Sequence, residues 1–203
     1  ITAIHSPVEQ DVVLSGNRGY FEKTLSSAGT ERFIVYNKTE TLGVTEVVKI
    51  EGQSFSTIRT SLSGTDHIII TPEEFLTSAE KLKEHRDASK VVLLQAVYDE
   101  FSGGVTDPRA VRLFLKWVKE NWTASSGSGF ASYVLLFGDG DYDYRNITGS
   151  STNLIPTFQS GSKGVTSADD RFAYLDGMTP EMAVGRLPAG SLYEADVMVD
   201  KII

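Results

Sequence analysis

Three carboxylates at alternate positions, Asp139, Asp141 and Asp143, follow five apolar residues in YVLLFGDGDYDY, residues 133–144. Oxygen ligands at that density suit a hard cation such as calcium or magnesium. The spacing imitates the opening of an EF-hand, but Tyr144 stands where that loop needs Gly, and Ser150 where it needs a bidentate Glu. Two readings stay open: an ion site of another design, or a turn in which Asp and Gly satisfy backbone groups. Gly138-Asp139-Gly140 lacks the third Gly or the Gly-Lys-Ser/Thr ending of a phosphate cradle. Three carboxylates would also repel phosphate unless a divalent ion intervened. A metal-dependent phosphoryl or glycosyl transferase using Asp139 and Asp141 is the rival that this loop keeps in play.

Two further acidic pairs are candidates. Asp99 and Glu100, in YDEFSGG (98–104), are expected at the carboxyl end of the strand VVLLQAV, residues 91–97. There they would share a rim with the Gly138 loop, and would complete its ion site or hydrogen-bond a neighbouring loop. Asp169 and Asp170 precede a short apolar run, Phe172–Leu175. Adjacent carboxylates in a strand point to opposite faces, so either could accept a substrate Arg or Lys, or both could be a solvated pair. His5, His67 and His85 are scattered, with no pair at metal-ligand spacing. The chain has no cysteine, which removes disulfides, thiolate metal sites and a thiolate nucleophile from these 203 residues.

The elements that must position these groups change character near residue 65. Before it, Asp11–Leu14, Arg32–Tyr36 and Glu46–Ile50 read as short strands punctuated by glycines. We take 1–65 as a β-rich segment, the end of an upstream β domain or an extension, and 66–203 as one α/β unit. HIIIT (67–71) reads as a buried strand, with Thr71, Pro72 and Glu74 as the capping box of a helix. Asp107-Pro108 opens a second helix whose Val111, Phe114, Leu115, Val118 and Trp122 form one apolar stripe. Tyr133–Phe137 is a strand covered on both faces. Phe172–Leu175 and Met182–Leu187 read as two more strands, and Ser191 with Glu194 caps a last helix. Strand–helix–strand units in series predict a parallel sheet with right-handed crossovers. Loops leaving the carboxyl ends of such a sheet are where ligands bind, which is where the three aspartates fall.

The formal net charge of −8 argues against nucleic acid, whose phosphates need a basic footprint. No apolar run approaches the roughly 18 residues of a membrane span. ITAIHSPVEQ at the start has no basic region followed by an apolar one, so no signal peptide is expected within these residues. The apolar end of the last helix, Ile202-Ile203, suggests that the natural polypeptide continues.

Taken together, DHIIIT, VYDEFSGGVTDPRAVRLFLKW, YVLLFGDGDYDYRN, IPTFQS, SADDRFAYLDG and AVGRLPAGSLYEADVMVDKI, in that order, resemble the gingipain-type cysteine peptidases, peptidase family C25. The likeness is nearest to the branch associated with type IX secretion, and runs from about Asp66 to the C-terminus. It implies a caspase-like or flavodoxin-like three-layer α/β fold, a parallel sheet with helices on both faces, preceded by β-rich material. It further implies a secreted or cell-surface endopeptidase acting on protein or peptide substrates. The Cys–His dyad would lie in a second catalytic subdomain, beyond the segment like AVGRLP and outside this chain. No cofactor is required in that family, calcium stabilises several relatives, and the specificity pocket lies near the segment like SADD. A non-catalytic secretion-system module of the same fold is the alternative.

Overall fold

The computed structural model describes residues 58–60, 64–125, 127, 129–160 and 166–203, together with the backbone of 13–15 and 18–20. The strands expected at 32–36 and 46–50 lie outside the described residues. The chain divides into two compact units, Ile1–Glu51 and Gly52–Ile203. In the first, β1 (Val13–Ser15) pairs antiparallel with β2 (Arg18–Tyr20), Ser15 opposite Arg18.

The second unit is built on a parallel sheet. Its elements are β3 (His67–Thr71), α1 (Leu76–His85), β4 (Ser89–Leu93), α2 (Leu94–Ser102), α3 (Pro108–Asn121) and β5 (Tyr133–Phe137). A short antiparallel pair follows, β6 (Gln159–Ser160) with β7 (Thr166–Ser167), then β8 (Ala183–Leu187) and α4 (Leu192–Ile202). Strand order is β4-β3-β5-β8, all parallel, with Ile69 level with Val91 on one side and Leu135 on the other. The order reverses direction between β3 and β5, so the switch point of the sheet lies at their carboxyl ends.

Helices cover both faces, which is why the central strands are apolar without alternation. Ile68, Ile70, Val134 and Leu136 face α2 and α3, against Val97, Phe114, Leu115 and Val118. Ile69 and Phe137 face α1 and α4, against Phe75, Leu82, Ala195 and Val199. Asp107 caps α3 as expected: its carboxylate accepts from the Arg109 N–H at 2.8 Å, with Pro108 in the first turn. Ser191 likewise accepts from the Glu194 N–H, while the Glu194 carboxylate reaches back to the Gly190 N–H at 2.8 Å.

Three local expectations are corrected. VVLLQAV is not one strand: β4 stops at Leu93 and α2 starts at Leu94, closing at Gly103 in the left-handed conformation. Leu94, Val97, Tyr98 and Phe101 recur at helical spacing, and an apolar run this short carries both periods. Asp99 and Glu100 therefore stand on a helix, not in a loop leaving a strand. Phe172–Leu175 is not a strand either; Asp169–Ala173 forms a 3-10 helix. Thr71 caps nothing: it ends β3, its hydroxyl donating to the Pro72 and Phe137 carbonyls, and a 3-10 turn, Glu73–Phe75, intervenes before α1.

Candidate functional site

The carboxyl end of β5 turns outward through Gly138, and the chain then folds back on itself over residues 139–155. The Gly138 N–H donates to the Leu187 carbonyl and the Asp139 N–H to that of Ala189, both at 2.9 Å, so the loop continues the pairing with the β8 side. The Asp139 carbonyl accepts from the N–H groups of Leu154 and Ile155. Gly138 has φ +155°, and a Cβ on Gly140 would lie 2.7 Å from the Ile155 carbonyl oxygen. The glycines are there because two backbone segments touch.

Each aspartate of the loop is satisfied by donors of the loop itself. Asp139 accepts from the Gly140 N–H at 2.9 Å. Asp141 accepts from the N–H groups of Asp143 and Thr152 at 3.1 and 3.3 Å. Asp143, nearly buried, accepts from the N–H of Ile147 and from both the N–H and the hydroxyl of Thr148, at 2.7 to 2.9 Å. Hydrogen bonds from the Asp143 N–H to Asp141, and from the Thr148 hydroxyl to Asp143, hold both carboxyls below the ordinary aspartate range.

The remaining acidic candidates are elsewhere. Asp99 accepts from Gln95 one turn back on α2. Glu100 accepts from the N–H groups of Ile58 and Arg59 and pairs with the Arg59 guanidinium at 3.6 Å. β3 stands between β4 and β5, so α2, which carries Asp99 and Glu100, does not follow the strand next to β5. Among the described residues no three carboxylates or histidines gather where one ion could touch them all. Among the described residues the loop carboxylates are met by donors of the loop itself rather than gathered around one point. We expect the melting temperature in millimolar calcium to equal that in EDTA, and Asp143→Asn to lower it by a few degrees in both. A calcium-dependent rise abolished by Asp143→Asn would overturn this.

The sequence reading passed over Arg186, on β8, which organises this end of the sheet. Its Nε and Nη2 donate to the two carboxylate oxygens of Asp169 at 2.6 and 3.0 Å. Nη1 donates to the carbonyls of Gly138 and Ile155, and Nη2 to that of Pro156, at 2.8 to 3.2 Å. All five guanidinium N–H groups are thereby engaged, joining β5, β8, the 155–156 segment and the 3-10 helix. The Thr157 hydroxyl also donates to Asp169 at 2.8 Å. Burial pushes the Asp169 carboxyl up, but the Arg186 hydrogen bonds and charge, with Thr157 and Ser167, outweigh it and leave the group below the aspartate range. The signal was present in the sequence: a lone Arg inside the otherwise apolar strand AVGRL is costly unless paired. Asp170, by contrast, is exposed and accepts from the Tyr174 hydroxyl.

Two hollows adjoin these elements. One, of about 390 Å³, lies at the carboxyl end between the start of α3 (Asp107–Arg109), Tyr144-Arg145 and Thr157–Gln159. The other, of about 660 Å³, flanks the edge strand β8 and is lined by Leu82, Leu135, Leu187 and Ile202 together with Asp66 and His67. His67 is half-buried, bonded to Ser89 at 3.0 Å, and its pKa is lowered by burial and then by Arg86.

The profile of peptidase family C25 matches residues 60–203. The chain belongs to peptidase family C25. Among solved structures it is similar to the dimeric latent PorU of Porphyromonas gingivalis: 34% identity, TM-score 0.56, covering 67% of this chain and 15% of that one. A second structure, described as a protease, is 18% identical with a TM-score of 0.46, covering 68% of this chain and 27% of that one, a likeness too slight to bear on function. No curated protein matches the chain. The α/β sheet with helices on both faces is thus the caspase-like fold expected of a C25 member. The chain spans less than a third of either solved relative.

Proposed function

We propose that these residues are the scaffold subdomain of a gingipain-like cysteine endopeptidase whose nucleophile is supplied by polypeptide outside them. The observation that carries this is the pairing of C25 membership over 60–203 with the complete lack of cysteine in 203 residues. Amide hydrolysis through an acyl-enzyme requires an activated thiolate in such a peptidase. The subdomain contributes the rigid carboxyl-end rim, tied by Arg186, and a face for a second catalytic subdomain. The apolar hollow beside the edge strand β8 supports that docking. Asp169 is consumed by Arg186, so Asp170 is the carboxylate left to meet a cationic substrate group. No described helix is long and apolar enough to cross a membrane; the resemblance to the type IX secretion branch supports a secreted or cell-surface parent.

The 203-residue chain alone is expected to hydrolyse no peptide substrate. Extended by the parent's following residues through its cysteine, it should do so, and a thiol-alkylating reagent should abolish the activity. Turnover by the chain itself, freed of contaminating protease, or alkylation-resistant turnover by the extended form, would sink the proposal.

A further inference from the structure

Residues 52–66, GQSFSTIRTSLSGTD, are rich in Ser, Thr and Gly and lead into β3. Within them Ile58–Thr60 forms a single 3-10 turn that docks on the last turn of α2. A helix of three residues is too short to hold itself in water, so its place is set by what it rests on. Its hydrogen bonds to α2 converge on Glu100. The Glu100 carboxylate accepts from the Ile58 N–H at 2.7 Å and the Arg59 N–H at 3.1 Å, acting as a cap supplied by another element. The Glu100 carbonyl accepts from Arg59 Nη2 at 3.1 Å, and Arg59 Nε stands 3.6 Å from the carboxylate. The same guanidinium covers the ring of Phe101 at 4.3 Å, a cation–π contact. Ile58 and Phe101 both pack against the border of the core to which Phe114 belongs.

The turn of α2 that carries Glu100 also builds the corner into α3. Gly103 and Gly104 have left-handed φ, +64° and +82°, a path that other residues rarely take. The Gly104 N–H donates back to the Tyr98 carbonyl at 2.9 Å, and the Ser102 hydroxyl to that of Val105 at 2.5 Å. Asp107 then caps α3 and lines the hollow at the carboxyl end of the sheet. Phe101, under the Arg59 guanidinium, meets Phe114 and Trp117 of α3 at 5.7 and 6.2 Å between ring centres. The 3-10 turn and the corner thus meet on the last turn of one nine-residue helix.

We infer that Ile58–Thr60 is a releasable strap, anchored by Glu100, that holds the α2–α3 corner of the carboxyl-end rim in place. Closed, it seats the chain ahead of β3 on α2. Open, it frees the last turn of α2, and residues 102–107 with it. The anchorage suits such a device. Hydrogen bonds to a carboxylate are stronger than those to neutral acceptors, yet the Arg59 side chain is half-exposed, so water can take up what the strap gives up. A short element with few buried contacts opens locally at less cost than the central strands. Control of the substrate rim by the chain that precedes β3 rests on the peptidase reading; the strap and its anchor do not.

Hydrogen–deuterium exchange of the 203-residue chain, native and Glu100→Gln, tests this. Glutamine keeps one acceptor oxygen for Ile58 but turns an NH2 group toward the Arg59 N–H and guanidinium. Exchange at 58–60 and at 102–107 is expected to rise about tenfold, the size of one charge-assisted hydrogen bond, with 68–70 and 134–137 unchanged. Arg59→Ala removes the guanidinium and leaves Glu100 intact, so it should raise both by roughly threefold, the backbone donors remaining. Trypsin gives a second reading. Arg59 is the one Lys or Arg between Lys49 and Lys81, so cleavage there yields a fragment identified by its mass. Glu100→Gln should speed that cleavage about tenfold, because the protease takes the open form. Unchanged exchange at 58–60 in Glu100→Gln overturns the anchor. A rise at 58–60 with none at 102–107 overturns the hold on the corner. A rise spread evenly through 68–70 and 134–137 makes Glu100 an ordinary part of the core and overturns the strap. The thiol-dependent activity of the extended protein is measured separately and decides the peptidase reading by itself.

Discussion

Arg186→Ala is expected to lower the stability of this chain by about 3 kcal/mol, the low end for breaking an ion pair shielded from water. The side chains of Arg186 and Asp169 are 14% and 22% exposed, which places the pair between buried and surface behaviour. Removing the guanidinium strips donors from the Asp169 carboxylate and from the carbonyls of Gly138, Ile155 and Pro156 together. A lysine at 186 cannot repair this, because one ammonium has three donors at a point while the guanidinium serves both Asp169 oxygens and three carbonyls in a plane. Arg186→Lys should therefore recover less than half of the loss. The urea midpoint of each variant, at unchanged slope, measures it. A loss under about 0.5 kcal/mol for Arg186→Ala would mean that the pair behaves as a surface salt bridge.

The same pair sets a pH dependence. The folded-state pKa of Asp169 lies below its unfolded value of about 3.9, so the unfolded chain binds the proton more readily in acid. The pair's contribution is then fully present above about pH 4 and is lost as pH falls through the lower folded value. Asp141 and Asp143 share this direction. Asp169→Asn should flatten the acid limb of the stability curve relative to the native chain.

Gly140→Ala is expected to cost about 1–3 kcal/mol, the range for forcing a methyl group into a closed contact. The added Cβ would meet the Ile155 carbonyl oxygen at 2.7 Å, and backbone cannot rotate aside as a flexible side-chain tip can. That oxygen also accepts from Arg186 Nη1 at 3.0 Å, so displacing it loosens the clamp. The losses of Gly140→Ala and Arg186→Ala should consequently fall short of additive when combined. Gly177→Ala, with nothing within 4 Å of the added atom, should stay within about 0.5 kcal/mol of the native chain. Equal effects at 140 and 177 would show that the loop does not depend on its close approach to Ile155.

Local patterns were enough for the elements and for one end of the site. Ile68–Ile70 and Val134–Phe137 are apolar without interruption because helices cover both faces of the sheet, and that can be read from composition alone. Asp107-Pro108 and Ser191 mark helix starts through contacts two or three residues away, so the short-range signal and the structure agree. The acidic loop was also placed correctly, at the carboxyl end of a central strand. Tertiary structure decided what the carboxylates do. Whether Asp139, Asp141 and Asp143 bind an ion or backbone donors depends on how residues 146–155 fold back over them. Whether Asp99 and Glu100 reach that loop depends on β3 inserting between β4 and β5. Arg186 finds Asp169 seventeen residues away and the Gly138 carbonyl forty-eight residues away. Hydrogen-bond partners at such separations leave no periodicity in a single chain, because strand order, and not neighbouring residues, chooses them.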